Sequence, residues 1–390
     1  MSSDNSESDS SDGRLSYYMD GGAEAVTERI KQFFDNNTRW KWSSMLGIGA
    51  TGIVYRVQYQ RGNLSRDLAV KIVPQDVDLG GYKSYDEDDP IVPDEVEEIV
   101  NEKRWLQVLR GNSHIVTPLD VPHDPFDSAN TPPGVLPHRM GNWVFMEYLP
   151  NGPLWLFISR YHKLYPDEPI PNRLLWRFFM CLARMCLEMA YYNATWPDGR
   201  KVNLETDDYE QLRNIPPGPL VHSDIGSNNI MIGTLAPNLQ NPEHTLSPVL
   251  KLIDFALAQN LPDTDFLGSN AAQINVRDAG EVMLNLIRQQ EHGGTEKTRV
   301  TIAGQTFETF AGGLVDRWKD YKKAGVDPGL VELICTCLAE EPHRRLSPVD
   351  LAIVIRLSWD KDYPNNPRET DAVIQERLRA AIFDADTEEE

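Results

Sequence analysis

Two short stretches of this chain set polar side chains at the ends of apolar runs, where they can be aimed at a charged substrate. In Leu220-Val221-His222-Ser223-Asp224-Ile225-Gly226-Ser227-Asn228-Asn229-Ile230-Met231-Ile232, an apolar lead-in is followed by Asp224, Asn229 and a second apolar strand. The carboxylate of Asp224 can orient an attacking hydroxyl and accept its proton, and the amide oxygen of Asn229 can take a magnesium ion. His222 reads as a buried structural residue beneath the site rather than as a base. Further on, Leu250-Lys251-Leu252-Ile253 is an apolar strand that exits into Asp254-Phe255-Ala256. Asp254 adds a second oxygen ligand for magnesium bridging the β- and γ-phosphates of a nucleotide, with Phe255 turned inward as a core anchor.

A second group of residues lies nearer the N-terminus. Gly47, Gly49 and Gly52 are spaced so that a backbone without Cβ atoms can close over phosphates and offer N–H groups to their oxygens. A dinucleotide-binding loop would need a helix after the third glycine, whereas Ile53–Tyr59 is β-like. Lys71 stands inside the apolar strand Ala69-Val70-Lys71-Ile72, where an unpaired ammonium is costly, so an opposite charge must meet it. Glu102 falls on the apolar stripe Ile99, Glu102, Leu106, Leu109 of a helix and is the partner that spacing favours, with Glu98 the alternative about one turn away. Such an ion pair would hold Lys71 against nucleotide phosphates.

The elements that must position these groups change character along the chain. Strands are expected over Gly52–Tyr59, Leu68–Val73, Ile115–Val121 and Trp143–Leu149, with a polar turn at Arg61–Arg66. A helix is expected over Glu95–Leu109 after an acidic loop, Asp76–Glu98, that leads into it. A Pro-rich loop spans His123–Arg139. Helices then dominate, over Leu154–Tyr165, Arg173–Tyr192, Ala279–Gln289, Leu314–Lys323, Gly329–Ala339 and Pro348–Ser358. A β-rich first third before a helical remainder implies an α+β protein with a small and a larger lobe, and a hinge near Glu147–Gly152. Two Pro/Asp/Asn-rich insertions, Pro197–Pro219 and Thr234–Pro248, flank Asp224 and Asn229.

With 390 residues, 41% of them hydrophobic, the chain can bury a large core. A net charge of −21 and a pI near 4.8 argue against nucleic acid or an anionic membrane as partner, since both are polyanions. Residues 1–15 read as a disordered acidic tail, and the end, Asp384–Glu390, is similar. The four cysteines, Cys181, Cys186, Cys335 and Cys337, sit in apolar runs without zinc-finger or disulfide-framework spacing and read as buried thiols. Neither a signal peptide nor a membrane-spanning run is recognisable, so a soluble intracellular protein, cytoplasmic or nuclear, is expected.

Together these motifs resemble the signature set of the protein kinase superfamily, in a divergent Ser/Thr-kinase-type form, over Trp42–Ser358. The resemblance implies a bilobal fold with a β-rich N-lobe carrying one key helix (37–149), a mainly α-helical C-lobe (150–360) and a C-terminal extension (361–390). It implies ATP and Mg2+ as cofactors, protein substrates, and transfer to Ser/Thr hydroxyls with Asp224 as base and Lys71, Glu102 and Asn229 completing the catalytic set. ATP would be held by Gly47, Gly49, Gly52, Lys71 and Asp254. Val54, Ala69 and Met231 would sandwich adenine, Met146 would be the gatekeeper, and Glu147 to Leu149 the hinge that hydrogen-bonds the base. Leu106, Phe255, His222 and Asp278 would form the regulatory spine, with Asp278 opening the central helix. Arg345 resembles the late structural arginine of the large lobe.

Four departures mark the chain. Ser223 replaces the arginine before the catalytic aspartate, which implies activity independent of activation-loop phosphorylation. Gly226 replaces a lysine that contacts the γ-phosphate. Ala256 replaces the glycine of Asp-Phe-Gly. Between Asp254 and Asp278 there is no Ala-Pro-Glu, so the glutamate that would pair with Arg345 is missing. Two other readings follow from these departures: a nucleotide-binding scaffold that transfers phosphate poorly, and a kinase acting on a small-molecule hydroxyl.

Overall fold

The computed structural model describes residues 23–49, 51–73, 94–127, 142–204, 208–236, 242–265, 268–290 and 296–385. The acidic tail at 1–15, most of the acidic loop before residue 94 and the loop beyond residue 127 lie outside the described residues. Contacts divide the chain into two units. The first contains the described residues up to Arg110 with Val116–Tyr148 and Phe255–Leu257, and the second contains Gly111–Ile115, Leu149–Asp254 and the described residues from Ala258 onward. The mixed α+β character expected from the sequence is observed, with a four-stranded antiparallel sheet in the N-terminal region. Among the described residues no helix is long and apolar enough to cross a membrane.

In the first unit the order is α1 (Ala23–Asp35), β1 (Trp40–Gly49), β2 (Gly52–Arg61), β3 (Leu64–Val73), α2 (Asp94–Val108) and β4 (Asn142–Glu147), with the strands paired in sequence order. Alternation divides the sheet into two faces. Ile53, Tyr55, Val57, Val70, Ile72 and Phe145 share a core with Val26, Ile30, Phe33 and Phe34 of α1. Sequence reading missed α1, although its apolar residues recur at helical spacing. The expected polar turn at Arg61–Arg66 is tighter: Arg61 pairs with Leu64, and Gly62, at φ 59°, turns the chain within two residues. No regular strand forms over Ile115–Val121. Pro118 has no N–H to donate, the N–H of Thr117 is taken by the Glu147 carboxylate, and only isolated bridges remain at Ile115 and Pro118.

The second unit is built on α3 (Leu154–Leu164), α4 (Asn172–Tyr191), the short α5 (Tyr209–Leu212) and α6 (Ala271–Arg288), followed by α7 (Gly312–Val315), α8 (Trp318–Lys323), α9 (Pro328–Cys337), α10 (Pro348–Arg356) and α11 (Asp371–Leu378). Short strands β5 (Leu220–Val221), β6 (Ile230–Ile232), β7 (Leu250–Leu252) and β8 (Gln259–Asn260) pair as β5 with β8 and β6 with β7. Nearly all of α4 is buried, which makes it the axis of this unit.

Two expectations change here, and one element is added. The helix expected from Ala279 begins at Ala271, because Asn270 and Gln273 form a capping box, so Asp278 lies within α6 and does not open it. The single helix expected over Leu314–Lys323 is two, separated where Arg317 leaves helical geometry (φ −98°, ψ 13°). A hairpin of β9 (Thr298–Ile302) and β10 (Gln305–Thr309) was not foreseen. Its two-residue turn uses Ala303 and Gly304, both at positive φ as a type I′ turn requires.

The C-terminal segment belongs to the second unit. The buried Glu369 carboxylate accepts from the backbone N–H groups of Asn172 and Arg173 at the start of α4.

Candidate active site

Within the second unit, the chain leaves β5 into His222 under the control of α6. Asn275 accepts the N–H of His222 on its Oδ1 (3.1 Å) and donates through Nδ2 to the carbonyl of Leu220 (2.9 Å). It thereby pairs with the backbone as a neighbouring strand would. His222 is fully buried. Its Nε2–H donates to the carbonyl of Ile253 (3.1 Å), which leaves Nδ1 to accept the N–H of Asp224 (3.3 Å). Burial lowers its pKa to about 4. With both nitrogens engaged, His222 holds the loop and has no site left for a substrate proton.

Asp224 and Asn229 meet. Nδ2 of Asn229 donates to both the backbone carbonyl of Asp224 (3.0 Å) and its Oδ2 (2.7 Å). A carbonyl can only accept, so the amide is oriented, and Oδ1 of Asn229 is the atom available to a cation. Asp224 stays accessible to solvent, and partial burial of its carboxyl, reinforced by the charge of Asp254 and opposed by the Asn229 hydrogen bond, raises its pKa. The N–H of Ile253 donates to the carbonyl of Asn229 (2.9 Å), which ties the strand exit bearing Asp254 to the same loop. Ser223 and Asp254 adopt positive φ, 71° and 62°, a left-handed backbone that costs a residue with a side chain about 1–2 kcal/mol. Such strain is retained where surrounding bonds impose it, and it concentrates at working sites.

In the first unit, Nζ of Lys71 lies 2.8 Å from Oε2 of Glu102, and both side chains are buried. Glu102, not the half-exposed Glu98, is therefore the partner. Strand register sets Val54 opposite Lys71 and Ala69 opposite Met146. Directly opposed residues share a face, so Val54, Ala69, Lys71 and Met146 line the sheet face opposite the α1 core. Asn101, beside Glu102 on α2, donates to the carbonyl of Ala256 (2.8 Å). Ala256 is not among the residues at positive φ, so alanine fits there without strain.

The three glycines differ. At Gly52 (φ 132°) a Cβ would sit 2.5 Å from the carbonyl oxygen of Ile72, so the fold itself demands glycine. At Gly47 a Cβ would meet nothing within 4 Å, and at Gly49 only the Gly52 oxygen at 3.9 Å. Nothing in the hairpin forbids side chains at these two positions.

Other expected residues lie as follows. In the first unit Glu147 uses its carboxylate on the N–H of Thr117 (2.8 Å). In the second, Leu149 is buried, and Met231 is half-buried on β6 and bridges Pro153. Asp278, expected at the spine, is engaged by Arg277 (2.9 Å). Asn275 of α6 hydrogen-bonds His222, its amide accepting from the His222 N–H and donating to the Leu220 carbonyl. Arg345 is satisfied without a glutamate, donating to Ser269 Oγ (3.1 Å) and to the carbonyls of Ala339 (2.8 Å) and Glu340 (3.2 Å). Neither Asn275 nor Ser269 was singled out from the sequence, because neither sits in a recognisable motif.

No protein-family model matches the chain, and no curated protein matches it as a relative.

Proposed function

We propose that this chain is an ATP- and magnesium-dependent protein kinase of bilobal, kinase-like fold that transfers the γ-phosphate to serine or threonine hydroxyls. The observation that carries the reading is the grouping of Asp224, Asn229 and the strained Asp254 at one end of the β6–β7 hairpin. The donors suit the cation: Asn229 Oδ1 and the Asp254 carboxylate are hard oxygen ligands, the kind magnesium prefers. That ion would neutralise phosphate charge. The Asp224 carboxylate would orient the acceptor hydroxyl and take its proton, its raised pKa suiting it to that task. Lys71, held by Glu102, would set an ammonium against phosphate oxygens, with the glycine hairpin covering them. Asn101 tethers α2 to Ala256 by a hydrogen bond that needs no phosphorylated loop, in keeping with Ser223 in place of an arginine.

Gly226 favours a second reading, a nucleotide-binding scaffold, because no lysine reaches from that position to the γ-phosphate. A small-molecule hydroxyl as acceptor is the third.

Single-turnover transfer of radiolabelled γ-phosphate from ATP·Mg to the chain itself and to generic protein acceptors tests the first reading against the other two. Wild type is expected to transfer, and Asp224→Asn to fall to roughly one thousandth or less while melting as wild type does. Lys71→Met is expected to lose transfer as well, with a stability loss of about 3–5 kcal/mol from stranding the Glu102 carboxylate without its ammonium. Nucleotide binding without transfer to any protein acceptor would sink the protein-kinase reading.

A further inference from the structure

A separate cluster in the second unit has no part in the proposed chemistry. One ring nitrogen of His114, one of His244 and Sγ of Cys181 lie within 4.8 Å of one another, and all three residues are buried. The residues come from three distant segments: the link after α2, the middle of α4, and the 3-10 turn Pro242–Thr245 inside the second insertion. The two imidazoles are tilted by 43° with centroids 5.3 Å apart, so they do not stack face to face.

His114 supplies the independent observation. It is 0% exposed, and its Nδ1–H donates to the carbonyl of Leu250 (3.1 Å). The proton is thereby fixed on Nδ1, and Nε2 carries a lone pair that meets no hydrogen-bond donor although its atom is buried. A buried, unsatisfied acceptor costs about 1–3 kcal/mol, which a metal bond would remove. A histidine whose far N–H is held by a backbone carbonyl is also the usual arrangement of a metal ligand, since that bond sets tautomer and ring direction.

We propose that His114, Cys181 and His244 bind a zinc ion. Two imidazoles and one thiolate form a borderline-soft donor set suited to zinc, with one tetrahedral position left for water. On binding, the Cys181 thiol loses its proton to solvent and a zinc–sulfur bond forms. Arg184 and Lys251 lie near enough to act on His114, and the buried Glu188 carboxylate, which accepts the N–H of His114 (3.1 and 3.2 Å), offsets them together with the thiolate.

The ion would act as a staple. His114 also accepts the N–H of Leu252 on its carbonyl (2.8 Å) and Ile115 bridges Leu252, so the cluster braces β7, the strand that leads to Asp254. It would fix the second insertion to α4 at the same point.

The test uses untagged full-length protein, purified without chelator and then reconstituted with zinc. About one zinc per chain is expected by elemental analysis, and chelation should lower the melting temperature reversibly. Cobalt substitution should give a thiolate-to-cobalt charge-transfer band that zinc displaces. Cys181→Ser should abolish that band and weaken zinc binding more than roughly 100-fold, beyond the effect of a lost outer partner. Cys186→Ser, on the same helix but outside the cluster, should keep both. Less than about a tenth of a zinc per chain after reconstitution, copper bound in its place, or a thiolate band that survives Cys181→Ser would overturn the assignment. The wild-type metal content and cobalt spectrum decide the matter even if Cys181→Ser fails to fold.

Discussion

At the scale of single residues, the same amino acid does different work at neighbouring positions, and the local geometry says which. Gly52 is required by the hairpin, because its φ of 132° and the carbonyl of Ile72 exclude a Cβ, whereas Gly47 and Gly49 have room for one. Alanine at Gly52 is therefore expected to cost about 2–3 kcal/mol of stability. Alanine at Gly47 or Gly49 should leave stability within about 0.5 kcal/mol of wild type. On the proposed reading, those two substitutions should instead raise the KM for ATP by roughly tenfold, equivalent to about 1.4 kcal/mol of lost contact. Denaturant melts and ATP titrations on the three variants test this. If Gly47→Ala and Gly49→Ala destabilise as much as Gly52→Ala, their glycines are structural and say nothing of a ligand. Gly226 is a third kind of glycine. A Cβ there would meet the side-chain oxygen of Asn228 at 2.5 Å, and that flexible group can swing aside, so a lysine is sterically admissible.

At the scale of elements, what was legible in the sequence was local. Lys71 and Glu102 could be paired because one interrupts an apolar strand and the other an apolar helical stripe, and each anomaly needs a partner. Asp224, Asn229 and Asp254 stood out because apolar strands frame them. The long-range supports were not legible. Asn275 is one polar residue within α6, and only the folded chain reveals that its amide replaces a strand partner for Leu220 and His222. The ligands at 114, 181 and 244 have no common motif, and α1 was missed although its apolar spacing was available. Asn275 makes a specific prediction as a positioning residue. Asn275→Asp keeps the acceptor for His222 but cannot donate to Leu220, leaving a buried carbonyl unpaired at about 1–3 kcal/mol. The loop bearing Asp224 then loosens, so kcat should fall roughly 10- to 100-fold with KM for ATP little changed. A rise in KM with kcat intact would show that α6 does not position the loop for chemistry.

At the scale of the whole molecule, stability against pH sums every titrating group, and burial pulls the terms in opposite directions. Asp124, Asp224 and Asp278 have pKa values raised chiefly by burial, so protonating them favours the folded state as pH falls. Acidification also relieves repulsion in a chain of net charge −21. His222 opposes both effects. Its folded pKa of about 4 lies below the ordinary 6.5, so the unfolded chain binds the proton first, and stability is lost as pH falls through that interval. Above pH 7 neither state is protonated, and His222 adds no pH dependence. The total is uninformative, but a difference isolates one term. The stability advantage of wild type over His222→Gln should be constant above pH 7 and shrink by about 3 kcal/mol between pH 6.5 and 4. Urea unfolding of the two proteins across pH 4–8 measures it. A difference that stays flat over the whole range would mean that His222 titrates normally, and that the loop bearing Asp224 is not anchored by a neutral imidazole.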